Sequence, residues 1–369
     1  MAKIIKNVDK IITTSGTEVD LDNIQASGGG ASVGGSVSAE GLALTRSEGS
    51  ATIDYSFNVG YINTQEADGH STSATEMMMV GGHTGGTSMH TYIDKISFSD
   101  NSATNNFGTL SYSTTNQSAG SDGATVMTCG GGAGSTYLGT CAKISFQDGS
   151  ETSWGELRNN LNALGSGASD GDKLAVNGGY AGSGWYKNYC DLKSFAEDTT
   201  SVDHGNLTIG GRDNDGGVGY TGDCSDGTSF ILMCSYGGMK GTQKKAFADG
   251  STDEAWTDMI HSEWGGRPAS DKTHAVLCGG SGMGYTTYGI QKILFADKSA
   301  AESWGSMQQN RAGASVSSDG NGKIIIAKGN ASSTYYDSSE YKAFDNNSTT
   351  EVASSLSNTS SGHSEGSGS

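Results

Sequence analysis

Proline is nearly missing, with one residue in 369, and hydrophobic residues make up only 34% of the chain. A single compact helical or α/β core is poorly supplied by such a composition. Positive charge is also scarce: 22 Lys and Arg stand against 40 Asp and Glu, for a net charge of −18. That field repels a nucleic-acid backbone, and no basic cluster interleaved with aromatics interrupts it, so nucleic acid is excluded as an expected partner. No apolar run approaches the length of a membrane span. The first twenty residues, MAKIIKNVDKIITTSGTEVD, break their apolar positions with Asn7, Asp9 and Lys10, so they lack the core of a signal peptide. Six cysteines (129, 141, 190, 224, 234, 278) form no C-x-x-C and have no His at metal-ligand spacing. They read as free thiols, with Cys141 matching Cys190 and Cys129 matching Cys278 in successive units; a disulfide-stapled secreted domain is the weaker alternative.

Glycine is abundant, at 58 residues, and short apolar runs return between the glycines: MMMV at 77–80, FILM at 230–233 and III at 324–326. Many short strands with Gly-rich turns are expected. The runs belong to a repeat. A phenylalanine closes a short strand at Phe98 (YIDKISF), Phe146 (TCAKISF), Phe195 (CDLKSF), Phe247 (QKKAF), Phe295 (IQKILF) and Phe344 (SEYKAF), with a period of about 50 residues. Eight or nine residues after each comes Phe107, Trp154, His204, Trp256, Trp304 or Val352. A double glycine precedes each: Gly81-Gly82, Gly130-Gly131, Gly178-Gly179, Gly237-Gly238, Gly279-Gly280 and a decayed Lys328-Gly329. It marks a strand leaving a crowded position where φ>0 or close backbone approach excludes a Cβ. Upstream lies Asp-Gly, at Asp122, Asp170, Asp226 and Asp319, with Asp271-Lys272 as a variant, which reads as a type I′ hairpin.

Each unit is therefore four antiparallel strands, with units at about 70–122, 123–170, 171–226, 227–271, 272–319 and 320–356. Their order resembles the kelch repeat, in which a double glycine follows the second strand and spaced aromatics lie on the third and fourth. The resemblance implies an all-β, kelch-like β-propeller. A blade cannot bury both faces alone, so the units should stack radially and close. Seven blades are favoured over six: GLALTRSEGSATIDYSF, ending in Phe57, supplies a hairpin, and the segment after Val352 supplies a first strand that joins it. Residues 1–36 fall outside the pattern as an extended arm and Gly/Ser linker, and 37–369 form the propeller; an arm of this kind suits docking on another subunit.

Candidate recognition residues lie in the loops between second and third strands: His83, His90 and Tyr92; Tyr137; Trp185, Tyr186 and Tyr189; Tyr285 and Tyr288; Tyr335 and Tyr336. Aromatics on rigidly held loops suit binding of sugars or protein surfaces; the alternative is that they pack over glycine-rich backbone. Trp154, Trp256 and Trp304 are assigned to packing between blades. Asp213-Asn214-Asp215-Gly216-Gly217 looks like a fragment of a calcium loop without the ligand spacing of an EF-hand, so no metal and no cofactor are expected. No nucleophile, zinc or phosphate-binding motif is visible.

The units IDKISFSDNSATNNFGTL and KISFQDGSETSWGELRNN are similar to propeller repeats of tailed-phage structural proteins, particularly those of marine phages. That resemblance implies a non-enzymatic virion protein of the tail fibre, baseplate or capsid surface, assembled in the host cytoplasm. Its partners would be other virion proteins through the N-terminal arm, and a host-surface glycan or protein. The alternatives are a carbohydrate-active propeller enzyme, with paired carboxylates over the central channel, and an intracellular kelch-type adaptor.

Overall fold

The computed structural model describes residues 74–356 apart from several loop stretches, the longest at 160–166 and 209–221, together with the backbone of strands between 10 and 57 and at 364–368. Two units divide the chain, 1–64 and 65–369. In the first, Lys10–Ile12 pairs with Glu18–Asp20. A three-stranded sheet there joins Gln25–Ala26, Leu42–Glu48 and Ala51–Phe57.

The second unit is a six-bladed β-propeller of four-stranded antiparallel blades. Each blade has an inner, second, third and outer strand. The second strands are Glu76–Val80, Thr125–Cys129, Lys173–Asn177, Ser229–Cys234, His274–Cys278 and Lys323–Ala327 in blades 1 to 6. They are continuous apolar runs because they are buried on both faces. Met77 and Met79 pack against blade 6, while Met78 and Val80 pack against blade 2. One apolar cluster fills each of the six joints between blades.

The expectation of seven blades is corrected here. Ser364–Gly368 does form an inner strand, but its partner is Glu76–Val80 of blade 1, with Glu365 opposite Met79. The hairpin ending at Phe57 pairs with Gln25–Ala26 in the other unit. Its alternating pattern resembles a blade strand, yet blade 1 needs only one strand to be complete, and the C-terminal segment fills that place.

All six phenylalanines occupy one position. The backbone N–H of Phe98, Phe146, Phe195, Phe247, Phe295 and Phe344 donates to the carbonyl just before the second strand of its own blade, on Thr75, Ala124, Asp172, Thr228, Thr273 and Gly322. The double glycines behave as the repeat implies. Gly81 has φ +71° and Gly279 φ +62°. A Cβ on Gly279 would sit 2.2 Å from the carbonyl oxygen of Arg311, and one on Gly81 would sit 2.8 Å from that of Thr114. These two glycines let the tops of the second strands of blades 1 and 5 touch the connector leaving the same blade. Gly237 and Gly238 lie outside the described residues.

The Asp-Gly hairpins need correction. Of each pair only the second residue is left-handed, as at Gly123 (φ +86°) and Lys272 (φ +73°), whereas a type I′ turn requires φ>0 at both central residues. The aspartate acts through its side chain. Asp122 Oδ1 accepts from the N–H of Ala124 and Thr125, and Asp226 Oδ1 from those of Thr228 and Ser229. A serine before each aspartate accepts the following N–H, as Ser121 does from Gly123 and Ser270 from Lys272.

The cysteine expectation holds only in part. Cys190, Cys224 and Cys278 are free and buried, but Cys129 and Cys141 form a disulfide. They are cross-strand partners in blade 2. Matching cysteines between blades concealed that the two positions face each other inside one blade. Blade 2 has cysteine at both positions, while Cys190 faces Asn177 and Cys278 faces Ile290.

Candidate recognition face

The loops between second and third strands share one end of the ring with the connectors between blades, as the contacts of Gly81 and Gly279 with those connectors show. Here the fold adds a device that the sequence reading missed. Each of four such loops is a small hairpin standing on its blade: Gly132–Ala133 with Thr136–Tyr137, Tyr180–Ala181 with Trp185–Tyr186, Ser281–Gly282 with Tyr285–Thr286, and Asn330–Ala331 with Thr334–Tyr335. In blade 1 a bridge between His83 and Met89 takes its place. The second glycine closes the base of the hairpin: the carbonyls of Gly82, Gly131, Gly179 and Gly329 accept from His90, Leu138, Lys187 and Tyr336. The register sets Tyr137, Tyr186, Thr286 and Tyr335 in equivalent places. The signal was in the sequence, as an aromatic five to seven residues past four of the six double-glycine sites, at Tyr137, Trp185 and Tyr186, Tyr285, and Tyr335.

The sequence-predicted residues divide into groups. At the seam between blades 6 and 1, His83 meets Tyr335 edge-on with centroids 5.9 Å apart, and His90 stacks on Tyr92 at 4.7 Å. Tyr336 lies over the guanidinium of Arg311 at 5.1 Å. Tyr137 and Tyr189 stand half-buried on blades 2 and 3. For Trp185, Tyr186 and Tyr285 only the backbone is described, and Tyr288, Asp213 and Asp215 lie outside the described residues. Burial lowers the pKa of both seam histidines, helped at His83 by His90 and at His90 by Lys328.

Below this face the joints are stapled. The indole N–H of Trp154 donates to the carbonyl of Ser194 in the next blade, and that of Trp256 to Leu294, both at 2.9 Å. His204 takes the tryptophan's place in blade 3, with Nε2 2.7 Å from the carbonyl of Ala246. Trp304 instead stacks on Phe344 of blade 6. Lysines add a second staple by donating to the carbonyl of the next phenylalanine: Lys95 to Phe146, Lys143 to Phe195 and Lys244 to Phe295. Lys95 also lies 3.9 Å over the ring of Phe107 and Lys244 4.5 Å over Trp256. The assignment of the repeated aromatics to packing fits these contacts.

A further buried element escaped the sequence reading. The residue four before each phenylalanine is Asp94, Ala142, Asp191, Gln243, Gln291 or Glu340, and all but Ala142 are polar. In blades 3 to 6 this side chain accepts from the connector arriving from the previous blade. Asp191 takes Arg158, Gln243 the N–H of Thr208, Gln291 that of His261, and Glu340 those of Gln308 and Gln309 together with Arg311. Buried carboxylates and amides are thus satisfied by the element they fix.

On the inner strands, the carboxylate among the described side chains is Asp223, which accepts from Asn177 at 2.6 Å. Apart from Arg267, Pro268 and Val316, the other described inner-strand side chains are small or hydroxyl-bearing, and Ser169 and Ser270 donate to Ser121 and Ser225 on neighbouring inner strands. No known protein family matches the chain, and no curated protein matches it either.

Proposed function

We propose that the protein is a non-enzymatic structural component of a bacteriophage virion, on the tail fibre, the baseplate or the capsid surface, whose propeller presents its hairpin-bearing face to a host surface or a neighbouring subunit. The observation that carries this reading is the set of small hairpins with aromatics in register, each fixed at its base by the second glycine. Rigid loops carrying tyrosine offer contact area with little entropy to lose on binding. The similarity of the repeat units to kelch repeats and to marine-phage structural repeats supports the same reading. The unit at 1–64 supports it too, since a separate N-terminal element is suited to anchoring on another virion protein.

The carbohydrate-active alternative needs two carboxylates facing a substrate. Asp223, already bonded to Asn177, supplies one inner-strand carboxylate among the described residues.

Two experiments test the reading. Infected-cell particles purified by density gradient should contain the chain, and deletion of residues 1–36 should leave a soluble propeller that no longer enters them. On a panel of bacterial surface glycans and envelope proteins, binding by the isolated propeller should fall about tenfold or more for Tyr335→Ala, the loss expected of an aromatic anchor. A free protein that turns over a sugar substrate contradicts the proposal.

A further inference from the structure

The inner strands of the six blades neighbour one another in a closed ring about the axis. In five blades the residue opposite the last residue of the second strand opens the inner strand, at the end bearing the hairpins; the corresponding residue of blade 3 lies outside the described residues. In blade 1 it is Ser364 opposite Val80, in blade 2 Ser118 opposite Cys129, in blade 4 Gly222 opposite Cys234, in blade 5 Arg267 opposite Cys278 and in blade 6 Ser315 opposite Ala327. One long cation therefore stands in a layer of serine and glycine.

Arg267 is only 3% exposed. Its Nε is buried without a hydrogen-bond partner, and among the described residues the side chain makes no hydrogen bond and no ion pair. The other described polar side chains of the layer share this condition, since Ser118 Oγ and Ser315 Oγ are also buried and unpartnered. Elsewhere the fold pairs its buried arginine: Arg311 is held by Glu340 at 2.9 Å. A buried charge with no counter-charge is costly enough to be rare, and buried donors without acceptors ordinarily mark a bound water or ligand.

We infer that the layer opened by Arg267 is a binding site for a small monoanionic carboxylate, which takes the fork of Nε–H and Nη–H on one edge of the guanidinium. The fork geometry matches the two oxygens of a carboxylate. One cation balances one negative charge, and the protein's own charge of −18 disfavours a dianion such as hydrogen phosphate. The site does not depend on the proposed virion role.

The test uses the full chain in a buffer free of carboxylates, with acetate as the probe. Acetate should raise the Tm of the wild-type protein by several degrees over sodium chloride of the same ionic strength, and glucuronate should separate free small carboxylates from those carried on a saccharide. Arg267→Ser places the residue that Ser118 and Ser315 already supply at this position, so it should fold and should lose the acetate effect entirely. Arg267→Met removes the buried charge and should melt higher than the wild type in the absence of acetate. Equal stabilisation of wild type and Arg267→Ser by acetate overturns the site. Equal stabilisation of the wild type by acetate and by chloride or phosphate overturns the carboxylate assignment. Should both variants fail to fold, line broadening of acetate NMR signals by the wild type, absent with chloride as competitor at equal concentration, is the contradicting result.

Discussion

The joints between consecutive blades differ from the seam where blade 6 meets blade 1. At the joints of blade 2 with 3 and of blade 4 with 5 an aromatic ring N–H and a lysine both reach the next blade, as Trp256 and Lys244 do, and the arriving connector is caught by a buried polar side chain. At the seam the residue in the tryptophan's place is Val352, which is 69% exposed. The lysine staple is rebuilt from a different strand: Lys323 of the second strand donates to the carbonyl of Phe98 and to Asn101. Here Asp94 accepts from Lys328 at 2.6 Å, with both side chains 1% exposed, and residues 357–363, which lead into Ser364–Gly368, lie outside the described residues. The inner strand comes from the far end of the chain. Ion pairs at consecutive joints, such as Arg311 with Glu340, are thus supplied by the connector between the blades, whereas closure relies on a lysine just past the second strand of blade 6 and on one borrowed strand. Repetition of sequence specifies the first kind of joint; the second has to be specified residue by residue.

The largest expected effect comes from removing the borrowed strand. Deleting residues 364–369 should lower the Tm more than any single substitution, because blade 1 loses its inner strand and the ring its closure; differential scanning calorimetry measures it. Next is Asp94→Ala, which leaves Lys328 buried without its partner and should cost about 3–5 kcal/mol by urea unfolding. Trp256→Phe keeps most of the ring and removes the bond to Leu294, so an ordinary joint should lose about 1 kcal/mol in the same assay. If it loses as much as Asp94→Ala, the contrast between joint and seam fails.

The pH response should come from three partly buried histidines, two of them at the seam. His83, His90 and His204 all have pKa values lowered below the ordinary 6.5, burial being the first cause in each. A base whose folded pKa is depressed binds fewer protons in the folded state. Its contribution is intact above the unfolded value and declines as pH falls below about 6.5 towards the lowered folded value. Tm should therefore fall as pH drops below about 6.5, and His90→Phe, which keeps a ring against Tyr92, should flatten the fall. The smallest effect belongs to Val352→Thr, within about 0.5 kcal/mol, since an exposed residue in the vacant tryptophan place has nothing to lose.

The phenylalanine register and the double glycines were legible because each is a steric necessity repeated in every blade. Even the placing of His204 with the tryptophans was sound, since its ring nitrogen makes the same bond one blade on. Closure was legible in part: the segment after Val352 reads as an inner strand, and Ser364–Gly368 forms one, but its partner was not legible, for a physical reason. Inner strands crowd the axis, so they are built of residues such as Ser118-Ala119-Gly120-Ser121 and carry no apolar pattern by which SEGSG at 364–368 could be matched to its neighbour. The hairpin 42–57, with its clear alternation, drew the assignment instead. The buried residues four before each phenylalanine read as polar members of an alternating strand, and only the connector that reaches them explains their burial. The recognition residues were legible as a group by their place after the glycines. Their meeting at the seam was not, because His83 and Tyr335 come from opposite ends of the ring's sequence.

Cross-linking the seam tests the closed six-bladed ring most directly. With Met79→Cys and Glu365→Cys together, mild oxidation should join the two ends of the propeller in high yield, seen as a cyclised peptide pair by mass spectrometry after digestion, because these residues are register partners. The off-register pair Met79→Cys with Gly368→Cys should remain reduced. Equal yields from both pairs, or none from the first, would contradict closure of blade 1 by the C-terminal strand.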